Sequence, residues 1–350
     1  VLRAENLHRG FVAEGVKMSA STSTMALVLL LLLPSTLFTA AQSTYSPAFS
    51  GTSAFGYLEA QCDFGPRPPG SENLSLCRDY IVTVMESFGW VVRLQNFTYR
   101  DTECVNIIAS WPSETNSTLL LGAHYDTRPR ATEDPIEENR LKPILGANDG
   151  ASGVAVLMEL ARVLPLENRS AVGFVFFDAE DSGQIDGWDW IQGSRYYASQ
   201  LNQTERDSIN AMILLDMVGD ANVVLAKEVT STDSLQDAVW DVAASLGYGA
   251  IFVNRASGSV LDDHRPFLEA GIPALDIIEV PFPWYWHTLE DTPDKCSPSS
   301  LQAVGRVMEA FIVGVSGNAY PLDLPFTIYI GFGVISVIII SYAVIRLQRR

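Results

Sequence analysis

Four short apolar runs, Leu119–Ala123, Val172–Phe177, Met212–Leu215 and Ala274–Ile278, set the strongest limit on what this chain can fold into. The first three are nearly unbroken, and Asp276 alone interrupts the fourth. Runs this short and this apolar suit strands that helices cover on both faces. Between them Val154, Leu157, Ala161 and Leu164 recur at helical spacing behind Gly150 and Gly153, and residues 76–88, 237–246 and 301–315 read as further helices. Strand–helix alternation without internal repeats predicts one open α/β sheet flanked by helices, with its chemistry beyond the carboxyl ends of the strands. The long segments 127–146 and 182–193 are expected as loops that shape a site there.

Those strand ends carry one kind of residue. His124 and Asp126 follow the first run, Glu180 and Asp181 the second, and Asp216 the third; His287 lies in the loop after the fourth, and Asp149 opens the helix after Gly146-Ala147-Asn148. HExxH, GxSxG and a glycine-rich phosphate loop are all missing, which removes the usual signs of serine-hydrolase and nucleotide chemistry. Several carboxylates brought into one cleft repel one another and are costly to bury, and a divalent cation relieves that cost. Imidazole nitrogen with carboxylate oxygen is a zinc donor set, and a neighbouring free carboxylate is then available to move protons.

Charge and the chain ends bound the setting. The 350 residues hold 41 acidic and 23 basic side chains, a net charge of −18, which argues against a nucleic-acid surface and favours cationic ligands such as peptide N-termini. Met25–Leu33 is an unbroken apolar run followed by Pro34 and by small residues up to Ala41, so 1–41 is expected to be a signal peptide or N-terminal hydrophobic segment. Residues 326–345 contain no charge and as a helix reach about 30 Å, the thickness of a hydrocarbon core. The basic tail 346–350 follows directly. These features predict a single-span membrane protein with residues 42–325 as the catalytic domain, extracellular or lumenal. Five N-x-S/T triplets, at Asn73, Asn96, Asn116, Asn168 and Asn202, fit export. Cys62, Cys77, Cys104 and Cys296 lie in the outward portion, where a disulfide is permitted; sequence proximity favours Cys62–Cys77.

Across roughly residues 55–315 the chain resembles the zinc-dependent exopeptidases of the bacterial aminopeptidase type and their relatives, the glutaminyl cyclases. The resemblance is carried by GAHYDTRP (122–129), LGANDGASGVAVLMELAR (145–162), FFDAED (176–181), LLDMVGD (214–220), DDHRPFLEAGIP (262–273) and WHTLEDTPDK (286–295). It implies a mixed sheet, mostly parallel at its centre, with helices on both faces. For an aminopeptidase it implies two zinc ions: Asp149 bridging, His124 and Asp216 completing one site, Asp181 and His287 the other, with Glu180 as general base. For a cyclase it implies one zinc on Asp149, Asp181 and His287. Glu180 then passes a proton from the substrate's α-amine to departing ammonia, and Asp216 and Asp262 join its hydrogen-bond network.

Trp286 before His287, the Pro281-Phe282-Pro283 stretch and the doubled Asp262–Asp263 before His264 are similar to the cyclases and favour cyclisation of an N-terminal Gln, with Trp286 walling the substrate pocket. Trp188 or Trp190 are candidates to help exclude water, with plain packing the equal alternative, and His264 is expected to be structural or pocket-lining. A dead binding ectodomain would have lost ligands, and none is missing. Two positions depart from the pattern: Asp181 stands where the family usually has Glu, and Asp276 where animal cyclases tend to carry His.

Overall fold

The computed structural model describes residues 45–112 and 119–316. The expected N-terminal hydrophobic segment, the apolar stretch 326–345 and the basic tail lie outside the described residues, as does Asn116; among the described residues no helix is long and apolar enough to cross a membrane.

The main sheet is formed by β1 (Val91–Tyr99), β2 (Thr102–Ser110), β3 (Leu119–His124), β4 (Val172–Phe177), β5 (Ala211–Asp216) and β8 (Ala274–Ile278), in the order β1-β2-β4-β3-β5-β8. The four apolar runs are its four adjacent parallel strands, and every residue in them is buried. The register sets His124 opposite Phe177, and Asp216 opposite Ile278, so the polar ends emerge side by side. The other two strands form an antiparallel pair turned by Arg100 and Asp101, both at positive φ, and β2 joins β4 antiparallel. Two short strands, β6 (Leu225–Lys227) and β7 (Phe252–Ala256), pair separately.

Alternate residues of each central strand enter different cores, as a period of two requires. Leu119, Leu121, Phe174, Phe176, Ile213 and Leu215 pack on one side. They meet α1 (Gly51–Cys62), α2 (Glu72–Ser87), α3 (Ser152–Val163), α7 (Asp233–Ser245) and α9 (Pro298–Ser316), through side chains such as Leu58, Ile81, Leu157, Val239 and Met308. Leu120, Val175, Phe177, Met212 and Leu214 face the other side, where Tyr197 of α5 (Gln192–Gln200) and Phe267 of α8 (Arg265–Glu269) cover them. Short helices α4 (Leu166–Arg169) and α6 (Gln203–Ser208) complete the set. The expected mixed α/β sheet with helices on both faces is thus the observed architecture.

Helix α3 is the element that positions the site. Ten of its twelve residues are buried, and its first turn presses against the end of β5. A Cβ on Gly153 would stand 2.0 Å from the Leu215 carbonyl oxygen, so only glycine permits the approach. Ser152 Oγ donates to the Asn148 carbonyl and accepts from Val218 N–H, tying the turn that bears Asp149 to the chain leaving β5.

The expected Cys62–Cys77 disulfide is not formed: all four cysteines are free and buried. Cys77 lies on the inner stripe of α2 with Leu74, Ile81 and Met85, and Cys62 ends α1 within the same core, so each serves as a small apolar side chain. Burial pushes their thiols up, Cys62 to about 12 and Cys77 to about 11, away from the reactive thiolate. Of the sequons, Asn96 and Asn202 are exposed, Asn73 is half-buried and Asn168 is buried.

The close approach of α3 gives a stability test. Gly153→Ala should destabilise the fold by about 3 kcal/mol or more, the upper range for overpacking, measured by urea denaturation. Gly249→Ala, whose added Cβ meets nothing within 4 Å, should stay within about 0.5 kcal/mol of the parent.

Candidate metal centre

Each candidate ligand is placed by a backbone device. His124 and Asp216 are the last residues of β3 and β5. After β4 the chain turns at Ala179, which adopts φ 58°, and this swings Glu180 and Asp181 over the strand end. The N–H groups of Glu180 and Asp181 donate to the two oxygens of Asp126, at 3.1 and 3.2 Å. Asp291 does the same on the opposite side, accepting from Asn148 N–H at 2.8 Å and Asp149 N–H at 3.1 Å. His287 itself sits at φ 55° in the loop after β8. Left-handed backbone at non-glycine residues is a strain that surrounding structure must impose, and it concentrates at functional sites.

The result is two groups of three that share one carboxylate. His124, Asp149 and Asp216 form one, Asp149, Asp181 and His287 the other; within each, the candidate ligand atoms lie within 4.8 Å of one another. His124 Nε2 is 3.2 Å from Asp149 Oδ1 and 3.2 Å from Asp216 Oδ1. His287 Nε2 is 3.4 Å from Asp149 Oδ2 and 3.1 Å from Asp181 Oδ1. Ligands about 2.0–2.1 Å from a tetrahedral zinc stand about 3.3 Å apart, and these separations agree. Asp149 turns one oxygen toward each histidine, the disposition of a bridging carboxylate. Asp149 Oδ2 and Asp181 Oδ2 are buried without a hydrogen-bond partner, a cost that a cation relieves. The residues present therefore fit a metal such as zinc. Every sequence-predicted ligand is among them.

Charge in the cluster is strongly perturbed. Burial raises Glu180 well above the usual carboxylate range, and neighbouring Asp181, Asp262 and Asp263 add to it. Burial also raises Asp262, with Asp216 and Asp263 reinforcing the shift. Burial pulls His287 down, but Asp181 and Asp149 outweigh it and leave the imidazole at about 8. Asp291, which faces Asp149, is pushed up to about 7 by burial first. Several carboxyls that resist ionisation beside imidazoles that resist losing a proton mark a site poised for proton transfer or for a cation.

A cavity of about 230 Å³ opens onto these groups. Asp149, Glu180, Asp181, Asp216, Asp262 and His287 line its polar side; Trp190, Leu261, Phe282 and Trp286 are among its apolar walls. The Trp286 ring stacks on His287, centroids 3.6 Å apart. Of the two other candidate tryptophans, Trp190 lines the cavity, whereas Trp188 packs edge-on against Tyr99 in a small cluster with Phe97 and Cys104. His264 belongs to neither metal group; it is buried beside Thr230 Oγ1 at 2.9 Å, and burial pushes it down to about 4. Asp276 is buried beside Asp262 and 3.5 Å from His264 Nδ1. The sequence reading missed the clamping role of Asp291, although the residue stands in the stretch 286–295; only the fold reveals which backbone its carboxylate holds.

The sequence profile of peptidase family M28 matches residues 106–312. A glutaminyl-peptide cyclotransferase of Drosophila melanogaster is 29% identical over 282 residues, covering 70% of this chain and 76% of the relative. Among solved structures, the glutaminyl cyclase of Porphyromonas gingivalis superposes with a TM-score of 0.72 at 35% identity, over 77% of this chain and 99% of the other. A leucine aminopeptidase precursor from Bacteroides thetaiotaomicron does so with a TM-score of 0.71 at 36% identity, over 77% and 98%. With the profile spanning more than half of its length, and its strand-end carboxylates and imidazoles assembled as described, the chain belongs to peptidase family M28.

Proposed function

We propose that this protein is a glutaminyl-peptide cyclotransferase, converting an N-terminal Gln to pyroglutamate with release of ammonia. The observation that carries the reading is the walling of the cavity. Trp286 lies flat on His287, and with Trp190, Phe282 and Leu261 it lines a half-open cavity of about 230 Å³, below the roughly 300–1,000 Å³ of drug-sized pockets. A small site with aromatic walls suits one folded side chain, and the bound side chain and the rings together would limit the access of water, which would divert the reaction to hydrolysis. The similarity to relatives named as glutaminyl cyclases supports the same reading.

Asp149, Asp181 and His287 are the residues that would hold zinc, which when bound supplies Lewis-acid polarisation of the side-chain carbonyl. The remaining work falls to the chain. The α-amine nitrogen attacks the side-chain amide carbon, the bond from that carbon to the amide nitrogen breaks, and ammonia leaves. Glu180, raised by burial, accepts the amine proton and returns it to the departing nitrogen. Asp216 and Asp262 line the cavity with it; Asp262 raises its proton affinity directly, and Asp216 in turn raises that of Asp262. Because amine and amide belong to one molecule, folding the side chain into the pocket supplies most of the proximity the reaction needs. The uncharged stretch 326–345 and its basic tail support a membrane-attached enzyme with this domain outside the cytoplasm, acting on peptide and protein N-termini.

One observation favours the second reading, a di-zinc aminopeptidase: the group of His124, Asp149 and Asp216 is assembled as fully as the other. Product and metal analysis separate the two. Gln-initiated peptides should lose the mass of one ammonia with the chain intact, followed by mass spectrometry; release of free residues from Leu- or Ala-initiated peptides would establish the peptidase instead. The purified protein should hold one zinc per chain by elemental analysis, and a second, equally tight zinc would count against cyclisation. Glu180→Gln should lower turnover by about 10²–10⁴-fold, the usual worth of a proton-transferring group, while the zinc content stays unchanged.

A further inference from the structure

Behind the candidate metal centre four planar groups lie one against the next. The Arg128 guanidinium sits over Trp190, its carbon 4.7 Å from the ring centroid. Trp190 lies parallel to His287, with centroids 6.0 Å apart and an interplanar angle of 10°, and His287 stacks in turn on Trp286. Arg128 is buried and fully engaged. Its Nη1 donates to Asp181 Oδ1 at 3.0 Å and to the Asp181 carbonyl at 3.3 Å, Nη2 to the Gly183 carbonyl, and Nε to Thr132 Oγ1. Two of the three residues in the Asp149 group thus touch this layer: Asp181 through the guanidinium, His287 through the indole.

The layer is built into the backbone. Gly183 lies directly under the indole, where a Cβ would fall 2.0 Å from Trp190 Cδ2. Ile191, at φ 59°, donates its N–H to the Glu180 carbonyl at 3.0 Å, so the chain carrying Trp190 is fastened to the residue beside Asp181. Arg128 holds Asp181 Oδ1, the oxygen that stands 3.1 Å from His287 Nε2, while Oδ2 has no hydrogen-bond partner. A charge-assisted bond from a guanidinium to one carboxylate oxygen holds the whole carboxylate, and so both of its oxygens, in a single orientation.

We propose that Arg128 and Trp190 act together as positioning residues for the metal centre, the guanidinium fixing Asp181 and the indole holding the ring plane of His287. This rests on the metal-binding reading of Asp149, Asp181 and His287, and holds whichever of the two reactions the centre performs. Partners that orient first ligands are typically worth about 10–100-fold in metal affinity or activity. A Trp190 that merely walls the pocket would alter substrate binding alone.

Zinc affinity, measured by chelator competition without substrate, separates these roles. Trp190→Ala should weaken zinc binding by about 10–100-fold and lower kcat, and Trp190→Phe, which keeps a ring, should restore most of the affinity. Arg128→Gln should weaken zinc to a similar degree, and the double variant should fall well short of the product of the single effects, since the two act as one unit. If Arg128→Gln does not fold, Arg128→Lys takes its place, retaining charge without the fork. Parental zinc affinity in Trp190→Ala with only KM raised, or additive losses in the double variant, would overturn the proposal. A parent chain that takes up no zinc would instead overturn the metal reading on which it rests.

Discussion

Negative charge forced out of water at the carboxyl end of a parallel sheet is the constraint on which the rest of this structure depends. Asp126, Asp149, Glu180, Asp181, Asp216, Asp262 and Asp263 are all buried within one region, and among the described residues their ion-pair partners are His124, His287 and Arg128. Such a group cannot persist as free carboxylates, because each buried charge costs several kcal/mol, at least ~3, unless matched. Three remedies are visible. Asp126 and Asp291 are satisfied by paired backbone N–H groups, Glu180 and Asp262 are driven toward their protonated forms, and the two groups that share Asp149 present oxygens and ring nitrogens at ligand spacing. The first remedy makes the site rigid, the second makes it able to move protons, and the third calls for a cation.

The shared carboxylate explains why one scaffold accommodates two chemistries. Asp149 offers Oδ1 to His124 and Oδ2 to His287, so both groups of three stand at ligand spacing on one backbone. The choice must therefore come from the surroundings. On the Asp181–His287 side those are aromatic and cationic, with Trp286, Trp190 and Arg128 in contact; on the His124 side they are carboxylates, Asp126, Asp216 and Glu180. A fixed guanidinium beside one pair of ligands offsets part of its negative charge, whereas the other side lacks any such neighbour among its described ion pairs.

Much of this was legible in the sequence because the central strands are buried on both faces. A strand in that position has to be apolar throughout, so its limits show as the points where polar residues begin, and in a sheet of this type those points are where ligands stand. Val172–Phe177 and Ala274–Ile278 coincide with β4 and β8, and His124 and Asp216 close β3 and β5. The edge hairpin was not legible: β1 mixes Arg93, Gln95 and Asn96 among its apolar residues, and the turn at Arg100-Asp101 lacks the usual glycine. The β6–β7 pair, with a first strand of three residues, offers too short a pattern to read. Asp291 and Arg128 escaped for another reason. Their side chains act on backbone and carboxylates brought close only by folding, and a charged residue in a loop gives no sign that it is buried.

In the proposed reaction, the same desolvation that makes the cluster costly also fits Glu180 to carry the proton. Glu180 lies next in sequence to a candidate ligand yet belongs to neither metal group, and its Oε2 is 3.9 Å from His124 Nδ1. A cation held by Asp149, Asp181 and His287 would offset the charge of those residues first, while Glu180 would keep the burial and the repulsion from Asp262 and Asp263 that raise its proton affinity. A carboxyl in the ordinary range would hold its proton too weakly to accept one from an amine near neutral pH; one raised by burial can both accept and return it. The loop that follows extends the same economy of placement. One turn at Ala179 delivers the proposed shuttle and a candidate ligand in succession, and the chain after it returns through Trp190 to line the cavity beside them.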